Sequence, residues 1–373
     1  MPQVPAPSGA ATSLNRDSQS APRRTAPCYA ALDLGTNNCR LLIATRGMKG
    51  EGFRVVEAFS RIVRLGDGLS RTGRLDDQAM DRAIAALRIC ADKVRRRRPV
   101  RLKAVATQAC RSADNGAAFV ARVEQETGLK LQIISPREEA QLSVAGCAAL
   151  LDHSAEAALV VDVGGGSTEL SWVDLKVTPM RAERPVIRAW LSIPIGVVTL
   201  AERFPEAEDR RSWFSAMVEH VKGHIAKFPH AEPMRPVFAG GGAHLIGTSG
   251  AITSLAGMHL GLSRYERSRV DGLWLTRADC DAAAARLMAL SPSERAAQPC
   301  IGAERADLVL AGAAILDAVQ SLWPCARVRV ADRGLREGLL ISLMDERRRG
   351  RRRGRGGNPH RNAEAPIKAA ASS

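Results

Sequence analysis

Short apolar runs alternate with amphipathic stretches along most of the chain, and the alternation predicts an α/β protein. Tyr29 to Leu34 (YAALDL) and Arg40 to Thr45 (RLLIAT) read as two strands joined through GTNN, a polar turn that opens on a glycine. Phe53 to Val63 continues in β-favouring residues. From Asp76, the run DDQAMDRAIAALRICADKVRRRR places apolar residues at 80, 84, 87 and 94, one face of a helix that begins acidic and ends basic. Arg101–Ala106 then reads as a strand, Ala113–Thr127 as a helix and Lys130–Ile134 as a strand, after which Pro136 opens a helix through REEAQLSVAGCAALL. Ala157–Val163 returns to strand, and later helices are predicted over 208–227, 276–288 and 305–320. This succession defines an α/β domain, and the loop after Val163 begins a second.

Two strand ends share one pattern. YAALDLGTNN and ALVVDVGGGSTE each run an apolar strand into Asp, an apolar residue, Gly and small polar residues. Such an end delivers a carboxylate and a tight, amide-rich turn to one rim of a sheet. Two of them face to face would cradle phosphates between domains. The glycines of VVDVGGGSTEL do not form a dinucleotide fingerprint, whose third glycine would fall on Glu169, and they lack the lysine of a Walker loop. The flanking carboxylates, Asp162 and Glu169, are candidates to share a hard cation such as Mg²⁺ with phosphate oxygens. A plain glycine turn capped by Ser167 or Thr168 is the alternative.

Composition narrows the partners. The 373 residues leave room for two cores, and 45% hydrophobic content suits a globular chain. Aromatics at 4% argue against a nucleic-acid binder built on stacking platforms. The net charge of +15 sits mostly at the ends: residues 347–373 carry +8 and residues 1–27 carry +2, leaving +5 for 28–346. Both ends are poor in large apolar residues and are expected to be disordered. The cysteines at 28, 39, 90, 110, 147, 280, 300 and 325 show no metal-site spacing and read as reduced thiols of a cytosolic protein. The first 27 residues contain no apolar stretch of the secretory kind. Val237 to Leu262 lacks Asp, Glu, Lys and Arg, but its glycines and hydroxyls, beginning FAGGGAH, suit strand, turn and helix start better than a membrane span.

Seven blocks then carry a resemblance. YAALDLGTNNCRLLIA, VATQACRSADNGAAFV, IISPREEAQLSVAGC, VVDVGGGSTEL, LSIPIGVVTL, IGTSGAITSLAG and RADLVLAGAAIL with DRGLREGLL occur in the order found in the exopolyphosphatase and guanosine pentaphosphate phosphohydrolase family. The resemblance runs from Tyr29 to about Met344. It implies an actin-like, Hsp70-like and sugar-kinase-like fold in its short form, with a first domain over 28–142 and a second over 143–346. The last helix is a candidate to pack back on the first domain.

The family's roles transfer by position. Glu139 corresponds to the catalytic base, while Glu138, about 100° around the helix, is assigned to the helix dipole. Asp162 and Glu169 correspond to magnesium-site carboxylates, and Gly164, Gly165, Gly166, Ser167 and Thr168 to a phosphate loop. Asp33, Gly35, Thr36, Asn37 and Asn38 form the matching first loop, and Arg111 corresponds to an arginine on substrate. Two departures stand out: Asn38 replaces a serine, and Ala251 replaces the second threonine of GTSGT.

The resemblance implies Mg²⁺-dependent release of orthophosphate from inorganic polyphosphate by a cytoplasmic homodimer. The 5′-γ-phosphate of guanosine pentaphosphate is the alternative substrate. A low-turnover alarmone or polyphosphate sensor and an ATP-dependent kinase are the competing classes. Arg95–Arg98 and the arginines of the tail would attract polyanions through charge alone, with no nucleic-acid sequence readout.

Overall fold

Strand alternation builds the first lobe. In β1 (Cys28–Leu34), Tyr29 and Ala31 point to one face of a sheet, Ala30 and Leu32 to the other, and all four are fully buried. The computed structural model describes residues 26–355 except 48–51, 181, 183, 227, 229 and 230. Strand β1 pairs antiparallel with β2 (Asn38–Arg46), which pairs antiparallel with β3 (Phe53–Ile62). On its other side β1 runs parallel to β4 (Arg101–Ala106), and β4 to β5 (Leu131–Ile133), giving the order β3-β2-β1-β4-β5.

The second lobe repeats that plan. Strand β6 (Ala157–Val163) pairs antiparallel with β7 (Thr168–Asp174), and β7 with β8 (Ile187–Ile193). Parallel to β6 run β9 (Ala243–Thr248) and then β11 (Arg327–Ala331), whose outer edge carries the antiparallel β10 (Trp274–Thr276). The order β8-β7-β6-β9-β11 matches β3-β2-β1-β4-β5, so the chain contains one α/β unit twice, the arrangement of the two-domain actin-like fold.

Helices cover both sheets. After the single turn α1 (Leu69–Thr72), α2 (Asp77–Arg97) starts where the Asp76 carboxylate accepts the amide of Ala79. Its Met80, Ile84 and Leu87 bury against one face of the first sheet, beside α3 (Gln108–Ser112) and the Phe119 and Val123 of α4 (Gly116–Thr127). The helix expected over 113–127 is α4, which starts three residues later, after Asn115 hydrogen-bonds both the amide and the carbonyl of Leu75; the short α3 before it is an addition to the expected elements. α5 (Pro136–Cys147) follows, capped by Ser135, whose hydroxyl accepts the amide of Glu138.

In the second lobe, α6 (Val197–Arg203) and α7 (Arg210–Ile225) precede α8 (Ala231–Ala239). The glycines of FAGGGAH therefore follow a helix, not a strand, and lead into β9. α9 (Gly250–His259), α10 (Arg267–Val270), α11 (Arg277–Ala289), α12 (Pro292–Ala296) and α13 (Val309–Leu322) complete the layer on one face of the second sheet. No helix among the described residues is long and apolar enough to cross a membrane.

α14 (Leu335–Arg355) returns to the first sheet. Its Leu339, Leu340 and Leu343 pack on Tyr29, Ala31 and Leu42, the face that α2 leaves open. The expected boundary at 142/143 falls inside α5. Leu142 of that helix belongs to the cluster under α14, while Val144 and Cys147 pack on Ala158 and Val160 of the second sheet. Of the segments expected to be disordered, 1–25 and 356–373 lie outside the described residues, and from 347 to 355 the backbone continues α14.

Two joins hold the lobes together. Inside, α5 and α14 approach almost backbone to backbone: a Cβ on Gly338 would lie 1.9 Å from the Leu142 carbonyl oxygen, and one on Gly146 the same distance from that of Gly334. Outside, the Glu202 carboxylate of α6 accepts the Gly68 amide (2.8 Å) and the Ser70 hydroxyl (2.6 Å). Arg64 reaches Asp307 at 3.0 Å.

A methyl at the inner join has nowhere to go. Gly338→Ala should cost about 2 kcal/mol or more, because overpacking a close-packed site forces backbone movement. Thermal unfolding checks this, and an unchanged melting temperature would mean that α5 and α14 are apart in solution.

Candidate active site

The twin strand ends meet. Asp33 and Asp162 close β1 and β6, and each is followed by a glycine-led turn. In the first turn the Gly35 amide donates to Asn38 O at 2.8 Å, while Asn37 O accepts the amides of Val63 and Arg64. In the second, the Gly164 amide donates to Ser167 O at 2.9 Å, and the carbonyls of Gly164 and Gly165 accept the first amides of α6. The turns touch across the cleft: a Cβ on Gly165 would come within 2.9 Å of Thr36 Cβ, and one on Gly166 within 2.8 Å of its hydroxyl. Glycine at these positions is required by contact between the lobes.

A cavity of about 460 Å³ opens between the turns. Asp33, Gly35, Thr36, Asn37, Asn38, Glu139, Asp162, Gly164, Gly165, Gly166 and Ser167 line it. Arg111, Thr168 and Glu169 stand behind its wall. The Thr168 hydroxyl is used within the fold, donating to Ile195 O at 2.7 Å. Glu169 pairs with Asp162 across the β6/β7 ladder and accepts the Ser192 hydroxyl at 2.8 Å. Arg111 donates to Ile134 O (2.7 Å), Gln108 Oε1 (2.7 Å) and Glu139 Oε2 (3.1 Å), so in this state it holds the glutamate. Glu138 points elsewhere, to Lys103 at 2.9 Å.

Burial sets the electrostatics. Glu139, in the first turn of α5, is 8% exposed and its carboxyl is pushed up to about 7. Burial is the main cause, the Arg111 guanidinium opposes it, and the charges of Asp162 and Asp33 add to it. Asp162 rises to about 6, chiefly by burial, with Ser143 pulling it down and Asp33 pushing it up. Asp33 and Glu169 are also raised, both first by burial, Glu169 then by Glu139 and Asp162. Burial thus raises all four carboxylates, with Asp33 pushing on Asp162 and Glu139, those two pushing on Glu169, and Glu337 pushing on Asp33. Arg40, opposite Asp33 in the β1/β2 ladder, and Arg336 supply the nearest relief.

This donor set fits a hard divalent cation. Besides the carboxylates, the side-chain oxygens of Asn37 and Asn38 in the cavity are buried without a hydrogen-bond partner. Among the described residues no three acidic, His or Cys side chains form a closed metal cage. Mg²⁺ does not need one, since one or two carboxylates, waters and substrate phosphates commonly complete its shell.

Several lining groups escaped the sequence reading. Arg40, Arg305 and Arg336 sit within the quoted blocks, but no spacing rule singles out an arginine there; only the hairpin pairing of Asp33 with Arg40 was foreseeable. Ala251 also lines the cavity, and its methyl packs against Gly312 of α13, where a Cβ would come within 2.1 Å.

Paired Asp-Gly turns, a glutamate poised near neutrality and a cleft between duplicated α/β lobes define a hydrolase of phosphoanhydride bonds. A model of the Ppx/GppA phosphatase family matches residues 43–347, and the chain belongs to that family. It is 29% identical over 327 residues to "Exopolyphosphatase 2" of Mycobacterium tuberculosis, covering 84% of this chain and 98% of that one. Among solved structures, a Ppx/GppA family member from Aquifex aeolicus superposes with TM-score 0.69 at 27% identity, covering 86% and 98% of the two chains. A crystal structure titled an exopolyphosphatase-like protein gives TM-score 0.74 at 28% identity, covering 85% and 97%.

Because Arg111 holds the Glu139 carboxyl down, removing its charge leaves burial and the neighbouring carboxylates unopposed. In Arg111→Met, Glu139 should therefore take up its proton at higher pH than in the parent. A ¹³C NMR titration of labelled glutamate carboxyls measures the change, and an unmoved or lowered midpoint would refute the role given to Arg111.

Proposed function

We propose that the chain is a Mg²⁺-dependent exopolyphosphatase that hydrolyses the terminal phosphoanhydride of inorganic polyphosphate. The observation that carries this reading is Glu139: a buried carboxylate, tuned near neutral pH, facing a cavity walled by two amide-rich turns.

The chain's own groups divide the work. Amides of residues 36–38 and 165–167 would hold the terminal phosphates, with Arg40 and Arg336 offsetting their charge. The Glu139 carboxylate orients a water in line with the terminal phosphorus and takes its proton, and Arg111 fixes the carboxylate's position. Asp162, backed by Glu169, would hold Mg²⁺, whose charge would neutralise phosphate oxygens. The family resemblance adds a homodimer, and eight free thiols support a cytosolic location.

The wall beyond the carboxylates favours a second reading. Tyr265, Pro299, Cys300 and Ile301 line the same cavity, an apolar surface suited to a nucleobase and of no use to an inorganic chain. Hydrolysis of the 5′-γ-phosphate of guanosine pentaphosphate is the alternative that this wall supports.

Glu139→Gln should lower kcat by roughly 10²–10⁴. Binding should be retained, because the substitution removes a negative charge from an anion site. Wild-type kcat in the variant would exclude Glu139 as the base.

Initial rates on long polyphosphate, short polyphosphate and guanosine pentaphosphate, with and without Mg²⁺, separate the readings. Orthophosphate release from polyphosphate, lost on chelation and restored by Mg²⁺, is expected. Faster release from guanosine pentaphosphate would select the alternative, and tight binding with no release from any of the three would make the protein a sensor.

A further inference from the structure

A second cavity, of about 290 Å³, lies at the outer join between the lobes. Arg64 and Asp67 reach it from the first lobe, α6 supplies Val198, Ala201 and Glu202 from the second, and Asn37 of the first turn lines both this cavity and the cleft. The proposed hydrolysis makes no use of it.

Part of its wall is apolar. Leu308 and Leu310 line it together with Phe204 and Trp213, and the two aromatic residues are only half-buried. The Trp213 Nε1–H donates to the Phe204 carbonyl at 2.9 Å, so what the indole offers the cavity is its ring. A half-buried aromatic ring at a concave wall suits an apolar body or a cation.

Charge decides between cation and anion. Among the described residues, four carboxylates line the cavity against two guanidinium groups. Arg295, 1% exposed, is committed to Glu206, which Arg210 also approaches at 3.4 Å, and Arg64 is committed to Asp307 at 3.0 Å. Glu202 accepts two uncharged donors, the Gly68 amide and the Ser70 hydroxyl. Asp67 has Arg82 at 3.6 Å, a part-exposed pair of little strength. Burial raises the Asp67 carboxyl, Arg64 and Arg82 oppose this, and Glu202 and Asp307 add to it. A further acceptor stands beside these two carboxylates: the side-chain oxygen of Asn37, a residue 7% exposed, is buried without a hydrogen-bond partner. Such an oxygen is costly to bury, and a protonated amine brings three N–H donors together with positive charge.

We propose that the second cavity binds a protonated amine carrying an aromatic or branched apolar body, and that this ligand ties the two lobes together. Its walls come from both lobes, so a bound amine adds a contact where part-exposed polar pairs now hold them. An amine that prefers the joined lobes must tighten the binding of phosphates held by both turns, and phosphates must tighten the amine by the same factor. This coupling rests on the phosphate-holding role proposed for the turns, whereas the site itself does not.

Phenethylamine and its uncharged counterpart 2-phenylethanol are the probes, titrated by ligand-observed NMR. A Kd of about 1 mM is expected for the amine, and one at least about tenfold weaker for the alcohol. Asp67→Asn, at a part-exposed side chain, should weaken the amine about threefold to tenfold and leave the alcohol unmoved, while Trp213→Leu should weaken both. Equal affinity for the two probes would overturn the choice of a cation. Amine binding lost in Asp162→Asn but kept in Asp67→Asn would place the amine in the cleft and overturn the site.

Glu139→Gln protein reads the coupling without turnover. Its Kd for tripolyphosphate should fall about fivefold at saturating phenethylamine, and the fall should vanish when Asp67→Asn is added. An unchanged Kd beside intact amine binding would overturn the tie between the lobes. Failure of tripolyphosphate to bind at all would overturn the coupling together with the role of the turns, leaving the amine titrations to decide the site.

Discussion

The crossing of α5 and α14 is the contact on which the site depends. α5 carries Glu139 in its first turn and packs on the second sheet, whereas α14 lies on the first sheet and in its first turn brings Arg336 close to Asp33. Gly146 and Gly338 let the two backbones touch. A side chain at either crossing point would push Glu139 away from the loop of Asp33, and a shift of about 1 Å matters greatly to a positioned base. Helix packing thus determines where the proton acceptor stands.

Burying four carboxylates in one cleft is unfavourable in isolation. Desolvation raises every one of them, neighbouring carboxylates add to it, and the few arginines nearby compensate incompletely. The same conditions keep Glu139 near neutrality, where a carboxylate is a stronger base than at its ordinary value. The arrangement that strains the fold is therefore the one that prepares the chemistry, and residues that lend positive charge from behind the wall, Arg111 above all, modulate it.

Much of this was legible in the sequence, for definite reasons. The twin strand ends were visible because an apolar strand followed by Asp-x-Gly is a local pattern, and the β1/β2 hairpin confirms its own alternation. The later start of α4 was hidden because it depends on Asn115 meeting Leu75, forty residues away. Roles that depend on which way a side chain turns were hidden too: Thr168 looked like a phosphate ligand, but its hydroxyl is bound to Ile195. The packing of the Ala251 methyl against Gly312 was hidden as well, because it joins residues sixty-one positions apart.

The two joins between the lobes differ in mechanical character. The inner one is backbone against backbone and has no give. The outer one consists of part-exposed polar pairs, Glu202 with Gly68 and Ser70, and Arg64 with Asp307, whose side chains are 35% and 51% exposed. Solvent-exposed ion pairs contribute at most about 1 kcal/mol. Sliding one lobe along the other would break the stiff contact, but rotating them apart about it breaks the weak one and the contact of Gly165 and Gly166 with Thr36. Rotation is therefore the less costly of the two motions, and it would carry the glycines at 165 and 166 away from Thr36 and widen the cleft.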